Sequence, residues 1–123
     1  MSPAARTRVV RGCAAGGLFA FAALIVLLAF SATIEMETFP GLRENLAPVA
    51  VVMLGCALLP AAGAVALAGW RSRAAWVLTG CLAALVALRL WTLAPMLHCW
   101  SYESVGREED GSYTCVNRGD MLP

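Results

Sequence analysis

The chain contains no lysine and a single histidine, His98. Charged residues make up 14% of its 123 positions. A soluble domain carries about 25%. With one histidine, no haem can be bridged by two histidines of the same chain, and a hydrolytic triad would have to be built around His98 without a nucleophile motif beside it. No Cys-x-x-Cys is present, which disfavours thiol–disulfide exchange chemistry. No glycine-rich phosphate loop occurs either. Net charge is only +1. A nucleic-acid binder should concentrate basic residues on one face, so that class is set aside.

What is present is apolar. Hydrophobic residues account for 60% of the chain, and mean hydropathy is +0.73. A small soluble domain buries only about 60–70% of the surface its unfolded chain exposes, so this composition would leave large apolar areas in water. The same numbers exclude disorder. The class expected is an integral membrane protein. Positive charge carried by arginine alone, in an alanine-rich chain, suggests a GC-rich bacterial genome.

Three stretches are long enough to cross a bilayer, whose core needs about 20 helical residues. They are residues 12–34, 47–69 and 74–97. Backbone in lipid must satisfy its own hydrogen bonds, so these are expected to be helices. The remaining segments are a basic N-terminus (1–11), a loop (35–46), a tight turn (70–73) and a tail (98–123). The expected fold is therefore an all-α integral membrane protein with three transmembrane helices. A four-residue turn makes spans two and three antiparallel neighbours.

Charge sets the orientation. Arg6, Arg8, Arg11, Arg71 and Arg73 lie in the N-terminus and the turn, with no acid among them. The loop and tail hold all eight acids against three arginines. Positive segments remain cytoplasmic, which places the N-terminus inside and the tail outside the plasma membrane. Trp70 and Trp76 flank the inner end of the hairpin and Trp91 and Trp100 the outer end of span three, as interfacial aromatics should. A cleaved signal peptide is the alternative for span one, with Ala29-Phe30-Ser31 as its small-residue site. Its apolar region, about 19 residues, exceeds the usual 7–15. Arg11 before Cys13 rules out a lipoprotein reading, and the terminus has no prenylation motif.

The five cysteines sort by depth. Cys13, Cys56 and Cys81 fall in or beside the spans, at heights too different for one tetrahedral metal site, and read as packing residues. Cys99 and Cys115 share the outer tail, where disulfides persist, and a segment this short needs a staple. A Cys99–Cys115 disulfide is expected, worth roughly 3 kcal/mol by chain entropy. Asp110-Gly111, flanked by Tyr102, Val105, Tyr113 and Val116, suggests a hairpin, although no simple turn register sets Cys99 opposite Cys115. Met96, His98 and Cys99 could suit Cu(I), but with Cys99 committed to the disulfide no metal or other cofactor is expected. Glu108-Glu109-Asp110 reads as a solvated turn rather than a calcium site. The tripeptide Arg118-Gly119-Asp120 is too short to carry a reading.

Arg89 is the one charge within the spans, and such residues are functional candidates by default. It could snorkel to the outer headgroups, pair with Glu35 or Glu37, or serve directly in transport or catalysis. Pro60 removes the hydrogen bond to the Cys56 carbonyl and should kink span two, so that carbonyl, close in depth, is a further candidate partner for Arg89. Small residues recur on each span: Gly12 and Gly16 on the first, Ala57, Ala61, Ala64 and Ala68 on the second, Gly80, Ala84 and Ala87 on the third. Such residues let helices approach closely. The function these features suggest is that of an accessory, structural or interaction subunit with no catalytic activity. Its partners would be the bilayer and another membrane protein or a second copy, with no nucleic acid. The alternative is a homo-oligomeric transporter or channel using Arg89.

Overall fold

The computed structural model describes residues 2–117. Residues 118–123, and with them Arg118, Gly119 and Asp120, lie outside the described residues. Three helices are long and apolar enough to cross a membrane: α1 (Pro3–Ala32), α3 (Ala47–Ala68) and α4 (Arg73–Leu97). A short helix, α2 (Ile34–Thr38), follows α1. The described residues also contain three strands: β1 (Gly41–Glu44), β2 (Ser104–Arg107) and β3 (Tyr113–Val116).

Helix α1 begins nine residues before the apolar boundary at residue 12. Ser2 caps it by accepting from the Ala5 N–H at 3.2 Å, Pro3 occupies the first turn, and 4–11 contains no helix breaker. Hydropathy marks where a helix could enter lipid; capping and propensity mark where it starts. The helix stops at Thr33, whose backbone leaves helical values (φ −116°, ψ 11°). At the other end of the chain's hairpin, Gly69 closes α3 with φ +95°, a conformation that strains a residue bearing a Cβ. Ser72 then caps α4 by accepting from the Ala75 N–H at 3.2 Å.

The helices pack through heptad seams. On α3 the buried positions include Ala47, Ala50, Leu54, Ala57, Ala61 and Ala64, spaced alternately by three and four. On α4 they are Ala75, Leu82, Val86, Arg89, Leu93 and Met96, which follow the same rule apart from half-buried Thr79. On α1 they are Ala15, Ala22, Val26 and Ala29. This period is the signature of side chains meshing between nearly aligned helices. Helices α1 and α3 form the most extensive pair and α4 adds a lesser contact with both, so the short turn between α3 and α4 does not make them the closest partners. Alanine on both sides of the α1–α3 seam explains why that pair is tightest. The two run antiparallel: Gly12 of α1 lies beside Ala68 at the end of α3, and Ser31 lies near Leu46 at its start. α3 continues unbroken through Pro60.

The expectation of an all-α fold is corrected at the end of the bundle opposite the α3–α4 turn. There β1, from the α2–α3 link, joins β2 and β3 from the tail in an antiparallel sheet of order β1-β2-β3. Leu42 pairs with Gly106, and Val105 with Cys115. Segments read separately as loop and tail thus form one cap. Their individual strands have four residues each, too short for a strand period to stand out beside the long apolar runs. Glycine is needed at 106, where a Cβ would lie 2.9 Å from Thr114 Oγ1. The core is continuous from the helices into this cap, through Leu93, Met96, Cys99 and Val105, all fully buried.

Candidate functional site

The site centres on Arg89. Its place in the α4 seam turns it toward α1, and it is 3% exposed. The break at Thr33 lets α2 bring Glu37 back over the bundle. Arg89 Nη1 donates to Glu37 Oε1 at 2.8 Å, and Nη2 to Glu37 Oε2 at 2.9 Å. Two parallel charge-assisted bonds give the planar fork both energy and a fixed orientation. Nη2 also donates to the Phe30 carbonyl at 3.2 Å and to Thr33 Oγ1. Nη1 donates to Thr92 Oγ1 at 3.1 Å, and that hydroxyl donates to the Arg89 carbonyl. The guanidinium carbon stands 4.8 Å from the centre of the Phe30 ring, within range of a cation–π attraction. Of the three guanidinium nitrogens of Arg89, Nε is the one buried without a partner.

Glu37 is held from the other side as well. Thr33 Oγ1 donates to its carboxylate at 3.3 Å, and Arg107 of β2 donates to its backbone carbonyl. One residue thus connects the helices and the sheet, its carboxylate meeting Thr33 and Arg89 and its backbone carbonyl meeting Arg107. Its side chain is 23% exposed.

Glu35 points elsewhere, pairing with Arg43 at 3.2 Å, so of the two acids it is Glu37 that meets Arg89. The Cys56 carbonyl does not serve as an acceptor for Arg89 among the described contacts. Cys56 is exposed, lying between seam positions Leu54 and Ala57 on the side of α3 turned away from its neighbours. The Arg89 guanidinium is held within the bundle by Glu37, Thr33, Thr92 and the Phe30 carbonyl. The small residues divide. Ala57, Ala61 and Ala64 are buried in the α3 seam. Gly12, Gly16, Ala68, Gly80, Ala84 and Ala87 are exposed, and a Cβ at Gly12, Gly16 or Gly80 would meet nothing within 4 Å. The close approach on α1 is made instead by Ala15, Ala22 and Ala29.

Cys99 and Cys115 form a disulfide, with Cα atoms 5.3 Å apart. Their offset follows from the hairpin: a five-residue connection, closed by Glu108 N–H donating to Ser112 O at 2.8 Å, puts Cys115 opposite Val105. Cys99 reaches it from the end of α4. Beside the bridge, Asn45 donates to the carbonyls of Cys99 (2.6 Å) and Tyr102 (3.0 Å) and accepts from the Ala47 N–H at 3.2 Å. It ties the start of α3 to the end of α4. Its position two residues before a helix start was the available sequence signal; Phe30, Thr33 and Arg107 carried none.

Among the described residues, one group of three metal-ligand types lies close together: His98, Cys99 and Cys115, with donor atoms within 4.8 Å of one another. Both sulfurs are engaged in the disulfide, and Met96 is fully buried. Two titrations bear the cap's imprint. Burial pushes the Tyr113 phenol above its ordinary value. The Ser112 hydroxyl, and then its backbone N–H, hold the Asp110 carboxyl below the usual range. The Arg89 cluster itself offers neither a free base nor a nucleophile. It can hold charge and fix geometry. No known protein family, curated protein or solved structure matches the chain, so the geometry of these clusters is what bears on function.

Proposed function

We propose that the chain is a small multi-pass protein of a bacterial plasma membrane, with its N-terminus cytoplasmic and its disulfide-stapled sheet outside, acting as an accessory or structural subunit of a larger membrane assembly. Three apolar helices with largely apolar outer surfaces support the membrane setting. Five arginines with no acid at one end, against an excess of acids at the other, support the orientation.

The observation that carries the structural role is the closed Arg89–Glu37 pair. The one charge within the apolar spans is turned inward and neutralised by its own chain. It therefore holds the helices and cap in register, and it is not presented to a pore or substrate. An anion-conducting oligomer would need Arg89 on an outer face shared between copies, and it lies in the inner seam instead. The face of α4 opposite that seam carries Gly80, Ala84, Ala87 and Trp91, the last 80% exposed, and suits contact with another apolar helix.

The test is purification of tagged full-length protein from its host in mild detergent, with mass spectrometry of what accompanies it and the native mass of the particle. A stoichiometric larger membrane partner is expected. A homogeneous oligomer of this chain alone would overturn the accessory role and direct attention to flux assays with Arg89→Leu as control.

A further inference from the structure

The end of the bundle away from the sheet holds a second charged feature, a cleft of about 460 Å³ between the first turns of α1 and the end of α3. Its origin is a mismatch of length. A helix rises about 1.5 Å per residue, so α1, with 30 residues, is about 45 Å long, while α3, with 22, stops about 12 Å shorter. Where α3 ends at Gly69, α1 continues alone and leaves a shelf. Arg8 and Arg11, three apart and hence on one helix face, line it together with Thr7 and Ser72. Gly12 and Leu67 form an apolar wall.

The charge there is unbalanced. Neither Arg8 nor Arg11 has a carboxylate within salt-bridge distance among the described residues. Every acid among those residues belongs to α2, β1 or the chain beyond α4, at the opposite end of the bundle. Ser72 uses its oxygen to accept from Ala75 and keeps its proton to donate. Next to the cleft, Trp70 and Trp76 pack with ring centres 5.7 Å apart, and Trp76 Nε1 donates to the Trp70 carbonyl at 2.8 Å. Exposed tryptophan beside arginine marks headgroup depth in a bilayer. A basic recess between helices on the cytoplasmic side is suited to a lipid phosphate.

From these features we infer that the cleft is a binding site for the headgroup of an anionic phospholipid, its phosphate between Arg8 and Arg11 and its first acyl carbons along Gly12 and Leu67. This rests on the membrane reading proposed above. The experiment uses purified full-length protein, delipidated in detergent and offered phosphatidylglycerol and phosphatidylcholine in equal amounts, with retained lipid counted by native mass spectrometry. Wild type is expected to prefer phosphatidylglycerol by about tenfold or more, from roughly 1 kcal/mol per arginine near the surface. Arg8→Ala with Arg11→Ala should reduce the preference to about twofold, whereas the charge-matched pair Arg6→Ala with Arg73→Ala should retain it. Equal losses in both double variants would show diffuse attraction and overturn the site. Displacement of the lipid by millimolar inorganic phosphate, with phosphate bound equally well without lipid, would overturn the lipid assignment. Carbonate extraction of membranes separates the two readings: release of wild type refutes membrane integration itself, while wild type that stays in the pellet without lipid preference refutes the site alone.

Discussion

Removing one side of the Arg89–Glu37 pair should cost more than removing both. In Glu37→Leu, a guanidinium that is 3% exposed keeps its charge and loses its counter-ion. Breaking a buried pair in this way costs about 3–5 kcal/mol. In Arg89→Leu the orphan is Glu37, whose side chain is 23% exposed. It can reach solvent and keeps the Thr33 hydroxyl, so the cost should be smaller, about 2 kcal/mol, including the lost bonds to Phe30 and Thr92. The double variant Arg89→Leu/Glu37→Leu leaves no buried charge and should lie within about 1 kcal/mol of wild type, because apolar replacement of a buried pair is often neutral. The predicted order of loss is Glu37→Leu, then Arg89→Leu, then the double. Arg89→Lys should rescue only in part, since an ammonium cannot make the two-pronged contact. The assay is reversible unfolding in mixed micelles by dodecyl sulfate titration, followed by circular dichroism, for all four corners of the cycle. Single losses under about 0.5 kcal/mol that simply add in the double variant would refute the pair as the element that locks helices and cap together.

Three further outcomes follow from the packing and the cap. Ala57→Leu, in the α1–α3 seam, should destabilise by about 1–3 kcal/mol through overpacking, whereas Ala84→Leu on the outer face of α4 should stay within about 0.5 kcal/mol; the same titration measures both, and equal effects would contradict the seam. Cys115→Ser should cost about 3 kcal/mol, and hydrogen exchange should show the loss concentrated in 104–116 rather than in α1 or α3. The Tyr113 phenol should ionise above its ordinary value of 10.0, because burial disfavours the phenolate. With the folded value raised, its contribution to stability is complete below 10.0 and disappears as pH rises through the folded value. The difference between ultraviolet titrations of wild type and Tyr113→Phe isolates that phenol, and a midpoint at or below 10 would contradict its burial.

The apolar helices were legible because each depends on local information. Length, hydropathy and the absence of charge can be counted along the chain, and the three helices overlap the expected spans. Their starts were less legible, since Ser2 and Pro3 begin α1 well before its apolar region. The small-residue patterns were legible as spacings but not as faces. In an alanine-rich chain several stripes fit each helix, and only packing selects among them. Gly12 and Gly16 have the spacing of a contact motif and face outward, while Ala15, Ala22 and Ala29 make the contact. The tail hairpin was legible in its turn residues, but the third strand was not, because β1 is four residues long and pairs with β2 across more than fifty positions of sequence.

Arg89 shows the same division at a single residue. That a charge among apolar helices must find a partner follows from the cost of leaving it bare, and the chain itself narrows the acidic choices to Glu35 and Glu37. Which one it meets depends on the bend at Thr33, which turns α2 over the bundle and aims Glu37 inward while Glu35 faces Arg43. Composition and charge order thus determined that three helices are long and apolar enough to cross a membrane and which end of the bundle is basic. The tertiary structure decided the partners, because contacts between residues distant in sequence depend on helix rotation, on a backbone break and on strand register, none of which is set by the residues nearby.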